Sequence, residues 1–224
     1  GNFITEWGTR GSNSGEFGHP TGIAVSDEFV FVIDNKNHNV QKFTSDGEFI
    51  SKWGGLGKDV GFFKSPRGIT ISDDNFIYIV DSANARIQKF TSDGEYISYF
   101  GQSGKFGGNF VTPVDIAINS DKIYVTDPNQ NKIIVFDIQG NFEKTFNDSI
   151  GGYPIYPQGI AFDQEDNFYI VDYRNNRIIH YNEFGISLSM FGQMGNENGN
   201  FKFPKDIAIS NDGYLFVTDT QGHR

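Results

Sequence analysis

One phrase returns along the chain at a nearly fixed interval, and this repetition limits the possible folds more than any other feature. DSANARIQKF at 81–90 is echoed by DNKNHNVQKF at 34–43, DPNQNKIIVF at 127–136 and DYRNNRIIHY at 172–181, and a fifth copy, DTQGHR, begins at 219. The leading aspartates, Asp34, Asp81, Asp127, Asp172 and Asp219, are separated by 47, 46, 45 and 47 residues. A period in the middle forties, rich in β-branched and aromatic residues, marks one β unit used several times over. Such units bury their faces against one another, so the array is the folding unit.

Each repeat reads as four strands. The first is a short apolar run after a proline: PTGIAV at 20–25, PRGITI at 66–71, PVDIAI at 113–118, PQGIAF at 157–162 and PKDIAI at 204–209. A polar turn leads to an unbroken apolar strand such as FIYIV at 76–80, the texture of a strand covered on both faces. The Asp-x-x-Asn loop then leads to a third strand. An Asp-Gly turn at 46–47 and again at 93–94 tolerates positive φ and leads to a fourth. Small residues centre the first strand (Ala24, Thr70, Ala117, Ala161, Ala208), and polar residues dilute the fourth (Ser51, Lys52, Ser98). The first strand therefore belongs at a crowded axis and the fourth at an outer edge. Lys42, Lys89 and His180 share one slot in the third strand, expected to face outward.

The expected fold is all-β, a β-propeller of four-stranded antiparallel blades. About five blades are present, one of them split between the termini. Residues 1–224 form a single domain on this reading, with repeats at about 20–65, 66–112, 113–156 and 157–203, and a last one joining 204–224 to 1–19. GNFITEWG at 1–8 matches GEFISKWG at 47–54, so the chain opens on a fourth strand, while the last phrase breaks off at Arg224. The expectation is a piece of a longer protein.

Composition narrows the function. The 23 Phe and 10 Tyr supply ample apolar area to bury. No apolar run is long enough to cross a bilayer as a helix, so no membrane segment is expected in this piece. The absence of cysteine excludes disulfides and thiolate metal sites. A net charge of −10 disfavours nucleic acid, whose phosphates need clustered Lys and Arg.

The pattern Pro-x-Gly-Ile-Ala…Val-x-Asp-x-x-Asn-x-Arg-Ile-Gln-x-Phe…Gly-x-Phe, seen best over 66–101, resembles the NHL repeat. The resemblance covers nearly the whole chain and implies a six-bladed propeller, of which about one blade is missing here. Thr70 departs from the alanine usual at its position. The architecture hosts binding modules, RNA binders, lyases and sensor domains, so function has to be argued from the site.

A residue present in every repeat serves the blade, whereas one that varies at a fixed position is free to serve a ligand. By that test the five aspartates are structural, accepting hydrogen bonds from the following loop and pairing with the cation five residues on. Phe17, Phe63, Phe110 and Phe201, each three residues before its proline, are loop anchors.

The peptide-amidating lyases that this repeat resembles use histidine-bound zinc. Here His38 and His223 share one loop slot with Ala85, Asn131 and Asn176, so convergence of three histidines on zinc is not expected. Calcium lactonases, another propeller class, place acidic side chains at the channel. Asp115 and Asp206, standing where other repeats have Gly22, Gly68 and Gly159, are the candidates for such a site, set against simple turn capping.

The two long loops of an antiparallel blade emerge at one end and the two short hairpins at the other. Function is expected at the long-loop end. There the fourth repeat breaks the pattern: GGYPIYP at 151–157 replaces Gly-x-Phe-x-x-Pro, and Tyr173 and Arg174 join Tyr153 and Tyr156 from the second loop. Tyr beside Arg is hot-spot composition, although the tyrosines could instead cover the blade in place of the absent Phe. The residue after each proline also varies (Thr21, Arg67, Val114, Gln158, Lys205), and His19 precedes Pro20.

The expected function is therefore a non-catalytic scaffold without a cofactor, binding a protein or peptide. Its candidate contacts are Tyr153, Tyr156, Tyr173, Arg174, Arg67, Gln158, Lys205 and His19. The alternative is a divalent-metal-dependent hydrolase, lactonase or lyase using calcium or zinc, with Asp115 and Asp206 among the ligands.

Overall fold

The computed structural model describes residues 3–147, 149–150 and 153–224, with the backbone alone at 149–150 and 153–154. The chain divides into two compact units, Gly1–Gln102 and Ser103–Arg224.

The first unit holds two four-stranded antiparallel sheets. One runs in order through Pro20–Val25, Phe29–Asp34, Asn39–Thr44 and Phe49–Gly54; the other through Pro66–Ile71, Ile77–Asp81, Arg86–Phe90 and Tyr96–Phe100. The second unit repeats the plan with Ile116–Asn119, Lys122–Asp127, Lys132–Asp137 and Phe142–Phe146, then with Pro157–Phe162, Phe168–Asp172, Arg177–Tyr181 and Ser187–Phe191. Pro204–Ile209 and Leu215–Asp219 pair as a two-stranded sheet. These are the blades of a β-propeller, each an up-and-down meander with its first and fourth strands at the edges. Residues 3–8, expected to be a fourth strand, form none. Thr9–Arg10 instead pairs in parallel with Glu16–Phe17. A fourth strand is held by hydrogen bonds to a third, and none pairs with residues 3–8 among the described residues.

Aromatic and branched side chains fill the space between sheets within each unit. In the first, Phe31, Ile33 and Val40 of one sheet meet Ile69, Ile77, Ile79 and Phe90 of the next. In the second, Tyr124, Ile133 and Val135 meet Ile160, Phe168, Ile170 and Ile179. Each such buried side chain contributes roughly 1.5–3 kcal/mol. Lys42 is only 4% exposed, contrary to the outward placement expected for its slot. Its stem lies along the sheet, its ammonium sits 3.9 Å from the Phe29 ring centroid, and Asp93 receives it at 2.9 Å.

The recurring aspartates are the clamps of the blades. Asp81, fully buried, accepts the Lys64 N–H at 2.7 Å, the Asn84 side-chain amide at 2.9 Å and the Arg86 Nε–H at 2.8 Å. Asp34 takes the N–H groups of Gly18 and His19, Asp127 those of Val111 and Thr112, Asp172 that of Tyr156 and Asp219 that of Lys202. Asp34, Asp81, Asp127 and Asp172 also hold the loop that follows, as expected, through Asn37, Asn84, Gln130 and Asn175, so each of these carboxylates ties two loops together. The pairing with arginine five residues on holds at Arg86, Arg177 and Arg224. Lys132, at the same offset, reaches the Lys105 carbonyl instead.

The anchoring phenylalanines fill these clamped loops, with Phe63 and Phe110 fully buried and Phe17 and Phe201 half-buried. Phe63 lies so close to Gly54, which has φ +102°, that a Cβ there would come within 2.6 Å of the ring. The glycine closing the fourth strand therefore makes room for the plug.

Candidate functional site: the long-loop end of the second unit

The fourth repeat solves the plugging problem differently. Its buried plug is Ile155, at 0% exposure within the core cluster of Tyr124, Phe168 and Tyr181. This position lies one residue nearer the proline than the phenylalanine it replaces, which is why the sequence pattern did not single it out. Tyr156 is released from that duty and is only half-buried.

Three bonds fix the two loops that carry the site. The Tyr156 N–H donates to Asp172 at 2.9 Å, the Tyr173 N–H donates to the Tyr156 carbonyl at 3.1 Å, and the Asn175 amide returns to Asp172 at 2.9 Å. A short 3-10 turn over Tyr173–Asn175, ended by Asn176 at φ 53°, presents the side chains. The exposed Arg174 lays its guanidinium over the Tyr156 ring at 4.4 Å, and Tyr173 packs on Phe203 at 5.3 Å. Tyr156, Tyr173 and Arg174 thus form one patch.

Tyr153 belongs to a two-residue strand paired with Ser149–Ile150, and its side chain lies outside the described residues. Gln158 is half-buried, its carbonyl accepting from Thr126 Oγ1 at 2.7 Å, while Lys205 is exposed. His19 and Arg67 are exposed in the first unit, each beside the proline that opens its blade.

Asp115 and Asp206 meet around Gly159. Asp115 accepts the Ile160 N–H at 3.0 Å, joining the third blade to the fourth, and Asp206 accepts its neighbour Ile207 N–H at 2.9 Å. A Cβ on Gly159 would lie 2.8 Å from both the Asp206 Cα and its Oδ1, so glycine alone fits against Asp206. Burial, and then the charge of Asp206, push the Asp115 carboxyl up to about 8, and burial raises Asp206 as well. By surface area Asp206 is exposed and Asp115 half-buried, yet protein crowds both on most sides. Crowding decides how poorly water solvates the charge, so both carboxyls are pushed toward their neutral forms.

Two threonines support this pair, and the sequence reading missed them. Thr126 Oγ1 accepts the Asp115 N–H, and Thr218 Oγ1 that of Asp206, each at 3.0 Å. The signal was present: the two repeats with Asp after the proline read Val-Thr-Asp in the second strand, where the others have Ile or Val before the Asp.

Among the described residues no three His, Asp or Glu side chains stand close enough to share a divalent cation, and both oxygens engaged at the pair accept backbone N–H bonds. Two of the histidines serve structure. His38 Nδ1 accepts the Ser65 N–H at 3.1 Å, and His180 stacks on Tyr169 with centroids 4.1 Å apart. The slot shared by His38, Ala85, Asn131, Asn176 and His223 is left-handed in all five, φ 53–56°. That conformation, rather than any ligand, explains its composition.

Comparison with known proteins places the chain among propellers. The NHL repeat matches residues 17–43 and 155–181, and a family described as a 6-bladed beta-propeller matches 59–156. No curated protein matches. Among solved structures, virginiamycin B lyase from Staphylococcus aureus is 21% identical with a TM-score of 0.65, over 90% of this chain and 63% of the lyase. A protein of unknown function from Bacteroides thetaiotaomicron is 17% identical with a TM-score of 0.70, over 95% of this chain and 57% of that one. A nidogen/laminin complex contains a chain 17% identical with a TM-score of 0.60, over 78% of this chain and 64% of that one. The chain spans less than two thirds of these neighbours, and at such identities the likeness is one of fold.

Proposed function

We propose that this chain, an NHL-repeat β-propeller, is a non-catalytic scaffold that captures a protein or peptide on its long-loop end. The observation that carries the reading is the Arg174–Tyr156 stack, 4.4 Å apart, set beside Tyr173 on loops clamped by Asp172. An aromatic and an arginine held in place before binding lose little side-chain entropy on complex formation. Neither residue plugs the blade, since Ile155 does. The nidogen/laminin neighbour belongs to a protein–protein complex, which is compatible with such a use of the fold.

Replacing Tyr156 and Arg174 together by alanine should abolish capture of the natural partner in a pull-down while moving the melting temperature by no more than a few degrees. Undiminished capture would exclude this patch.

The competing reading, a metal-dependent hydrolase, lactonase or lyase, rests on the Asp115–Asp206 pair, since a carboxyl raised toward neutrality, as Asp115 is, is of the kind general acid–base chemistry uses. Elemental analysis of the purified protein separates the two. A stoichiometric divalent cation, removed by chelator together with a lytic activity, would favour the enzyme.

A further inference from the structure

Charge is sorted between the two ends of the blades in the second unit. Asp121, Asp163, Glu165, Asp166, Glu183 and Asp212 all lie in or beside the short hairpins. The cations at that end are Lys122, paired with Glu143 at 3.2 Å, and Lys144, lying over Phe146 at 4.7 Å. Two phenols, Tyr124 buried and Tyr169 half-buried, stand close enough to feel these acids. After burial itself, Glu143, Asp166, Glu183 and Asp121 raise the Tyr124 hydroxyl, and Asp163 and Glu165 that of Tyr169.

The long-loop end carries Lys105, Lys132, Arg174, Lys202 and Lys205. Its carboxylates are largely spoken for. Among the described residues Asp127, Asp172 and Asp219 are buried under backbone N–H groups, and burial pushes the Asp115 and Asp206 carboxyls toward their neutral forms, which leaves Glu197. Within the second unit the excess of acid among the described residues therefore sits at the hairpins, and the binding end is the less acidic one.

Arg174 differs from the arginines of the repeat. Arg86, Arg177 and Arg224 each direct Nε at a clamp aspartate, whereas among the described residues Arg174 has no ion pair and is exposed. Stacking on Tyr156 occupies one face of its guanidinium and leaves the N–H edge, the part that grips a carboxylate with two parallel bonds.

Resting on the proposed binding function, we infer that the partner is an acidic peptide segment. One of its carboxylates is seated on the edge of Arg174, its neighbouring acids lie toward Lys205, and an apolar side chain packs against Tyr173 and Phe203. Single-stranded RNA is the less suited occupant. RNA of this kind binds by stacking its bases on aromatic faces, and the open face of Tyr156 is already taken by Arg174.

The test is fluorescence anisotropy with the whole chain and four labelled probes: a short peptide of Glu, Asp, Gly and one Phe, its Gln/Asn counterpart, its Lys counterpart, and oligouridylate. The acidic peptide should bind at least roughly tenfold tighter than its amide counterpart. Arg174→Gln should erase most of that preference and Arg174→Lys part of it, with Glu165→Gln at the hairpin end as an unaffected control. Equal affinity for acidic and amide peptides overturns the inference, as does tighter binding of the Lys peptide or of RNA, or no peptide binding at all. In each of these cases the pull-down decides separately: capture lost in the Tyr156/Arg174 double variant sinks only the acidic partner, and undiminished capture sinks the binding face too.

Discussion

The second and fourth repeats are clamped alike and plugged differently. In both, a fully buried aspartate receives an arginine Nε at 2.8 Å, Arg86 on Asp81 and Arg177 on Asp172. In the second repeat the loop leading to the blade closes over Phe63 and bonds back through the Phe62 carbonyl to Arg86 and Gln88. In the fourth, Ile155 suffices, and the next residue is turned toward Arg174. The lesson is one of division of labour. Once one side chain carries the packing, its neighbour can be spent on recognition without loss of the blade.

The plug gives the largest expected effect. Phe63→Ala should cost about 3–5 kcal/mol, measured by denaturant unfolding, and Ile155→Ala about 2–5 kcal/mol. If Tyr156→Ala costs as much as Ile155→Ala, the division of labour is wrong. The clamp should matter equally in both repeats. Arg86→Ala and Arg177→Ala each strand a buried carboxylate and should lose about 3–5 kcal/mol. A large difference between them would mean that the loops, not the aspartate, set the clamp's strength.

A pH effect should distinguish the second unit. The Asp115 carboxyl has its folded pKa raised from 3.8 to about 8, so the folded chain holds a proton that the unfolded chain releases. Its contribution is therefore fully present below about pH 4 and is lost as pH rises through 8. Melting temperature should fall over that window in the native chain and fall less in Asp115→Asn. Parallel curves would remove the carboxyl pair from the account.

The smallest effect concerns the left-handed slot. Ala85, at φ 54°, bears a Cβ that this conformation disfavours, whereas Asn176, at φ 53°, also accepts the Phe203 N–H at 2.9 Å. Ala85→Gly should gain several tenths to about 1 kcal/mol, and Asn176→Ala should lose about 1 kcal/mol. Both are readable as shifts in the urea midpoint.

Much of the blade was legible because every repeat states it again. The five aspartates, the phenylalanine plugs and the order of strands were readable from spacing. The Tyr–Arg patch was legible in part. Tyr156, Tyr173 and Arg174 stood out as departures from a repeated phrase, but nothing local indicated that Ile155, rather than a tyrosine, would be buried. The clamp's additional hold on the loop leading into the blade was not legible for a related reason. Asp81 and the Lys64 N–H that it holds are far apart in sequence, and only the antiparallel pairing of the blade brings them together.

By itself the sequence determined the β class, the period and the residues each blade cannot do without, since alternation, turn chemistry and repetition are local properties of a chain. Tertiary structure alone decided which carboxyls lose their water and which arginine keeps a free edge. Asp115 and Asp206 look like ordinary turn residues until packing sets Asp115 on the Ile160 N–H and Asp206 against Gly159. Solvation and charge coupling depend on what surrounds a group in space, and neighbours from other repeats cannot be read from its own.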